Sequence, residues 1–155
     1  MRSAITGLAL VLVVTGLNLA PAQQSADAGE FKDLIQRYWK AWSTLNPDNA
    51  APMYAKDADA VFYDVSPLKY KGWEEYKQGV LKVFGGAASA TFTPNDDLSV
   101  TRRGDIAWTS ETFHGVVAQK DGTHMDLLGR HTTIWERRGG HWIIVHEHVS
   151  APLGG

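Results

Sequence analysis

Residues 131–150, HTTIWERRGGHWIIVHEHVS, decide the fold, because they contain two β-rich runs on either side of the glycine pair at 139–140. Val, Ile, Thr and Trp favour strands, and two adjacent glycines between such runs are typical of a two-residue hairpin turn. The stretch therefore predicts an antiparallel hairpin in which Arg138 pairs with His141.

Further β-rich runs precede this hairpin, and turn residues separate them. Arg103-Gly104 and Asp121-Gly122 are hairpin signals between such runs. Pro94 indicates a bulge or an edge position, because proline cannot donate to a strand ladder. The second half of the chain therefore predicts four long antiparallel strands, at 90–102, 105–119, 123–137 and 141–150.

The first half of the chain has helical periodicity. Apolar residues at i, i+3, i+4 and i+7 predict a helix from about Glu30, with Asp27 before it at capping-box spacing. Asn46-Pro47 predicts the start of a second, shorter helix, and Gly72 precedes a third. The expected fold class is α+β, with three N-terminal helices packed on a strongly curved, mainly antiparallel sheet as a cone-shaped α+β barrel that encloses a pocket.

The N-terminal segment is typical of an export signal. Arg2 gives a positive start, residues 5–19 are mainly apolar, and Ala20-Pro21-Ala22 offers a cleavage site. The apolar run is shorter than the roughly 20 residues that a membrane span needs, although an uncleaved anchor is the alternative. We expect a secreted or periplasmic protein with a signal peptide at 1–22, a flexible leader at 23–29 and one domain at 30–152.

Composition excludes several classes of function. The 155 residues include no cysteine, so disulfides and thiol chemistry cannot operate. A formal net charge of −2 with interspersed signs provides no basic stripe for nucleic acid and no polycationic face for a membrane. We expect the partners to be a small molecule and a second copy of the chain, because a long sheet has more apolar surface than three helices can cover.

Several motifs resemble one superfamily over nearly all of the mature chain. Residues 36–38 (QRY), 53–58 (MYAKDA) and 61–64 (VFYD) resemble the ketosteroid isomerase pattern, and residues 134–142 and 145–152 are similar to SnoaL-like proteins. The same ending resembles the hub domain of calcium/calmodulin-dependent protein kinase. The chain thus resembles a SnoaL-like or ketosteroid isomerase-like member of the nuclear transport factor two-like superfamily. That fold hosts isomerases, cyclases, dehydratases, hydrolases and binding modules.

The isomerase resemblance implies roles for two residues. Tyr38 matches the tyrosine that donates a hydrogen bond to an enolate oxygen. The basic aspartate aligns with Tyr63, so Asp64 is a base displaced by one position. The resemblance disfavours steroid isomerisation, because the second acid aligns with Thr132-Thr133. The alternatives are aromatic packing for Tyr38 and a turn acid for Asp64.

The resemblance to the kinase hub domain has implications for the charge of the ligand. The hub pocket holds a histidine and several arginines, and its counterparts in this chain are Tyr76, Ser110, Thr133 and Val149. The missing arginines imply a neutral, mostly apolar ligand. The candidate ligand-binding residues are Tyr76, Ser110, Thr112, His114, Arg130, Thr133 and His148.

Histidines cluster near the terminal hairpin. Counting outward from its turn places Thr133 opposite His146 and His131 opposite His148, so that three imidazoles share one face. Such a group can bind zinc, but cross-strand histidines also serve as hydrogen-bonded structural groups. We expect no metal and no cofactor, because the chain has no cysteine and no His-Glu-x-x-His motif.

Two classes of function remain open. In the first, an isomerase, cyclase or lyase, Tyr38 stabilises negative charge while Asp64 or His146 moves a proton next to a carbonyl. In the second, the protein is a non-catalytic dimeric module for ligand binding or assembly. On the opposite sheet face, Arg130 and Glu147 are expected to form a diagonal ion pair, either as a surface salt bridge or at the pocket wall.

Overall fold

The computed structural model describes residues 21–152, so residues 1–20 of the expected signal peptide lie outside it. The helices are α1 (Pro21–Trp42), α2 (Pro47–Ala50) and α3 (Gly72–Val83). The strands are β1 (Val61–Tyr63), β2 (Tyr70–Lys71), β3 (Ala87–Pro94), β4 (Ser99–Arg103), β5 (Ile106–Gln119), β6 (His124–Arg138) and β7 (His141–Ser150). No helix among residues 21–152 is long and apolar enough to cross a membrane.

The seven strands form one sheet with the order β2-β1-β7-β6-β5-β3, and β4 also pairs with β5. Strands β1 and β7 are parallel, and the other pairs are antiparallel. The expected α+β class, with three helices on a mainly antiparallel sheet, is confirmed. Asn46 caps α2 as predicted, since its side chain accepts a hydrogen bond from the Asp48 N–H at 3.1 Å.

The predicted strand at 90–102 is two strands. Both β3 and β4 pair with β5, and the chain leaves the sheet between them. Asn95 donates to Thr112 Oγ1 at 2.7 Å, and the Asp97 carboxylate accepts from the Thr112 N–H at 3.0 Å. Together with the bond from the Asn95 N–H to the Thr112 carbonyl oxygen at 2.9 Å, these contacts hold the connecting segment beside β5.

The expected leader at 23–29 is part of α1, which begins at Pro21 instead of near Glu30. A tertiary contact explains the difference. Asp27 is buried and its carboxylate accepts a hydrogen bond from Arg102 at 2.9 Å, so this turn of the helix is attached to β4. Asp27 therefore anchors the helix from within and does not cap it.

The register of the terminal hairpin changes at Val145. The pair nearest the turn, Arg138 with His141, forms as predicted. Beyond Trp135 and its partner Ile144 the register shifts by one residue, so that Val145 is an extra residue of a β-bulge. Because strand side chains alternate between faces, the bulge reverses the facing of every later residue of β7.

One aromatic ring of the core can pack only because the neighbouring strand has a glycine opposite it. Phe113 of β5 is buried and lies against Gly129 of β6, the residue with which it pairs. A Cβ atom at position 129 would approach the Phe113 ring to within 2.2 Å. Glycine is therefore required here for the ring to keep its place in the core.

We predict that Gly129→Ala lowers the free energy of unfolding by about 1–3 kcal/mol, because the ring of Phe113 must move. Gly85→Ala is the control, since a Cβ atom there has nothing within 4 Å. Urea denaturation of both variants measures the difference. Equal stability of the two variants would contradict the packing described for Phe113.

Candidate functional site

A cavity of about 240 Å³ lies between the helices and the inner face of the sheet. Most of its wall is aromatic or aliphatic, and Asp64 is the one acid among the lining residues. The wall is formed by Tyr38, Trp39, Trp42, Asp64, Val65, Ser66, Tyr76, Val80, Val83, Phe84, Ala87, Phe92, Phe113, Val117, Gln119, Met125, Leu127 and Val149.

Asp64 reaches the cavity because strand β1 ends one residue before it. Phe62 is buried and Tyr63 faces outward, whereas Asp64 follows the strand and lines the cavity. Its carboxylate accepts a hydrogen bond from the Val65 N–H at 2.7 Å. Burial raises the pKa of Asp64 from 3.8 to about 6; the Val65 bond opposes this rise, and the nearby charge of Glu147 adds to it. Asp64 can therefore gain or lose a proton near neutral pH.

Glu147 lies fully buried behind the tyrosines of the cavity. Tyr76 donates a hydrogen bond to its Oε1 atom and Tyr54 donates one to its Oε2 atom, both at 2.5 Å. Burial opposes ionisation of Glu147, but His131 and the two hydroxyls outweigh it and hold the pKa of this carboxyl below its usual range. Glu147 is thus an ionised carboxylate inside the core.

His131 bridges Glu147 to a second buried acid. Its Nδ1 atom lies 2.6 Å from Glu111 Oε1, and its Nε2 atom lies 2.9 Å from Thr133 Oγ1 and 3.5 Å from Glu147 Oε2. Burial lowers the pKa of His131, but the hydrogen bonds and charges of the two acids together raise it from 6.5 to about 9. We call Glu111, His131 and Glu147 the buried acid–histidine cluster.

Tyr38 connects the cluster to the cavity. Its ring stacks on the His131 ring at 4.5 Å with an interplanar angle of 21°, a favourable placement for an aromatic face against an imidazolium. The pKa of the Tyr38 hydroxyl is raised well above 10.0, mainly by burial and next by the charge of Glu147. The hydroxyl of Tyr38 is therefore protonated at neutral pH, and the enolate-stabilising role expected for this residue stays a prediction.

The structure brings four of the expected site residues together. Tyr38, Asp64 and Tyr76 line the cavity, and Thr133 is buried behind it in contact with His131. On β5 and β6 the odd-numbered residues face the helices, so the even-numbered candidates face away from the cavity. The candidates on this outward face are Ser110, Thr112, His114 and Arg130.

The β-bulge moves two further candidates to the outward face. His146 bonds to the Val61 carbonyl oxygen at 2.8 Å, and His148 contacts the ring of Tyr63. Because His131 faces the core, the predicted face of three histidines does not form. Residues 21–152 contain no cluster of three or more His, Asp or Glu side chains suited to a metal ion.

The predicted diagonal pair of Arg130 with Glu147 is also wrong. Strand β7 turns Glu147 into the core beyond the bulge, where its partners are His131 and two tyrosines. Arg130 lies exposed on the opposite face.

The fold is that of the nuclear transport factor 2-like proteins. A nuclear transport factor 2-like superfamily protein from Salmonella enterica superposes with a TM-score of 0.76 at 19% identity, over 84% of this chain and 94% of that one. A proposed calcium/calmodulin-dependent protein kinase II association domain from Xanthomonas campestris gives 0.72 at 24% identity, over 94% and 100%. A proposed scytalone dehydratase from Novosphingobium aromaticivorans gives 0.75 at 10% identity, over 86% and 89%.

A sequence comparison specifies the family within this fold. Residues 32–154 match the SnoaL-like domain, and the chain belongs to that family. No curated protein matches the chain.

We predict that His131→Leu lowers the free energy of unfolding by about 3–5 kcal/mol, because two buried acids lose their partner. His114→Leu is the control, since His114 pairs with Asp126 at the exposed surface and its loss costs about 1 kcal/mol or less. Chemical denaturation at pH 6 measures both values. Equal losses would contradict the charge pairing of the buried acid–histidine cluster.

The pH dependence of unfolding provides a second measurement on the same variants. The folded state raises the pKa of His131 above its ordinary value of 6.5, so its contribution is complete below pH 6.5 and is lost as the pH rises through about 9. Wild type and His114→Leu should lose stability over that interval. His131→Leu should not show this loss.

Proposed function

We propose that the cavity binds a neutral, mostly apolar small molecule that carries one hydroxyl or carbonyl group. The observation that carries the proposal is Asp64, a single acid with a raised pKa in the wall of a mostly apolar cavity. Apolar walls with few convergent polar groups are typical of small-molecule sites. The polar group of the ligand is expected to contact Asp64.

The size of the cavity supports a small ligand. An apolar cavity of about 150 Å³ can hold benzene, so a cavity of 240 Å³ has room for about ten non-hydrogen atoms. Larger ligands would extend beyond its walls.

The charges around the cavity favour neutral ligands over anions. Asp64 lies in the wall, and Glu147 and Glu111 lie behind it with one imidazolium between them. Repulsion by these acids supports the expected discrimination against anionic ligands. The sequence suggested weak binding of anions because arginines are missing. The structure adds a second cause, which is repulsion by the buried acids.

The finer part of the proposal is proton transfer. A carboxyl whose pKa is about 6 is mostly ionised at neutral pH and is more basic than an ordinary carboxylate, which suits a general base. Asp64 would accept a proton from a carbon or oxygen next to the polar group of the ligand. This assigns the protein to proton-transfer chemistry of the isomerase, cyclase or lyase type, with Tyr38 orienting the ligand.

A non-catalytic binding module is the second candidate. The hydroxyls of Tyr54 and Tyr76 already donate to Glu147, so they are not available to stabilise charge on a ligand. Asp64 would then contribute only a hydrogen bond. Binding without turnover is the outcome that this candidate predicts.

We further propose that the outward sheet face forms a homodimer. Exposed apolar residues of this face include Ile106, Trp108 and Leu128, and Ile134 is half-buried opposite Trp108. A second copy would cover these side chains through a self-complementary contact, as in two-fold symmetric dimers. The expected export signal would make this a secreted or periplasmic dimer.

We expect Asp64→Asn to reduce turnover by a factor of about 10²–10⁴, because the amide cannot accept a proton. Ligand affinity should change by less than about tenfold, since the amide preserves size and a hydrogen bond. In wild type, kcat/KM should rise with pH through about 6. Asp126→Asn, at the exposed surface, is the control.

The measurements are isothermal calorimetry and activity assays with neutral hydroxy and carbonyl compounds. If every such compound fails to bind wild type, the proposed ligand class is wrong. If compounds bind but none is turned over, the non-catalytic module is the better assignment.

We expect Trp108→Glu to convert the dimer to monomer, because a carboxylate would be buried against apolar residues of the second copy. Leu68→Glu is the control, since Leu68 is a highly exposed apolar residue of the loop after β1. Sedimentation velocity at micromolar concentration distinguishes the two states. A monomeric wild type, or a dimeric Trp108→Glu variant, would refute this interface.

A further inference from the structure

Three apolar residues of the cavity wall are also open to solvent. Val65, Val83 and Met125 all line the cavity, and their exposed fractions are 50%, 55% and 46%. They come from three separate elements, namely the loop after β1, the end of α3 and the start of β6. We call these three residues the apolar entrance.

The opposite part of the wall is closed. Tyr38, Trp42 and Tyr76 line the same cavity and are almost completely buried. The cavity thus has a closed aromatic end and an open aliphatic end. An apolar molecule that fills only the closed end would leave the entrance side chains in water.

The intermediate exposure of Asp64 indicates a place between these two ends. This residue precedes Val65 directly in the chain, and it is less exposed than Val65 but more exposed than Tyr38. A ligand whose polar group contacts Asp64 therefore has apolar wall on both sides of that group. The closed end would hold one apolar arm, and the entrance would hold the other.

On this basis we propose that the ligand is an open-chain compound with an internal carbonyl or hydroxyl group between two apolar arms. The inference rests on the proposed binding function and specifies its ligand class. One arm lies against Trp42, Phe92 and Phe113, and the second passes out along the apolar entrance. A chain with a terminal charged group does not fit this arrangement.

The cavity volume is consistent with such a ligand. Room for about ten non-hydrogen atoms accommodates a carbonyl group and one arm of about six carbons, with little space left. A second arm of similar length must therefore leave the cavity. The side chains of the apolar entrance are the surface that it would contact.

A homologous series of hexyl ketones tests the proposal. The hexyl arm is kept constant while the other arm grows from methyl to hexyl. The dissociation constant of each ketone is measured by calorimetry at about pH 5, where the carboxyl of Asp64 is protonated and can donate a hydrogen bond to the carbonyl oxygen. A fully buried methylene improves affinity about fourfold, so a half-covered one should improve it about twofold. We expect about a twofold gain per added methylene over the whole series.

Variants of the entrance identify where the second arm lies. Val83→Ser and Met125→Ser should each reduce the gain in affinity per added methylene of the second arm. Leu81→Ser is the matched control, because Leu81 is a 40% exposed residue of α3 that is not part of the cavity wall. This variant should behave as wild type throughout the series.

Two outcomes separate the inference from the function on which it rests. If methyl hexyl ketone binds but longer second arms add no affinity, the two-armed ligand is wrong and small-molecule binding stands. If no ketone of the series binds to wild type, the proposed binding function itself fails.

Discussion

The ion pair between His131 and Glu147 is the interaction on which the site depends. An ionised carboxylate in the core is costly unless charge and hydrogen bonds compensate it. Here His131 supplies the opposite charge, and Tyr54 and Tyr76 supply the hydrogen bonds. Strand β6, the segment after α2 and helix α3 thus each contribute one partner to a single carboxylate of β7, which fixes the position of α3 over the sheet.

The bulge at Val145 makes this convergence possible. Without the extra residue, alternation along β7 would turn Glu147 outward and His146 and His148 inward. The first two inward residues of β7, Trp142 and Ile144, complete the aromatic core near the hairpin turn. A single strand therefore supplies an apolar surface at one end and a charged group at the other.

The order of helices and strands was largely predictable from sequence. Which strand residues face the core was not. Asn46 and the glycine turns are local signals, so they mark helix α2 and the hairpins directly. The facing of Glu147 depends on a bulge that no local residue marks. The same bulge places His146 and His148 on the outward face and removes Glu147 from the face of Arg130. On β5 the pattern was ambiguous, because Trp108 and Val116 face outward while Phe113 and Val117 face inward.

The buried charges and the apolar cavity are compatible because the polar atoms face away from the ligand space. The hydroxyl of Tyr76 points to Glu147, so its ring contributes mainly carbon atoms to the wall. The ring of Tyr38 separates His131 from the cavity in the same way. Asp64 follows the end of β1, and its carboxylate accepts a hydrogen bond from the Val65 N–H instead of from this network. The structure thus separates the groups that hold the fold from the one acid that a ligand can reach.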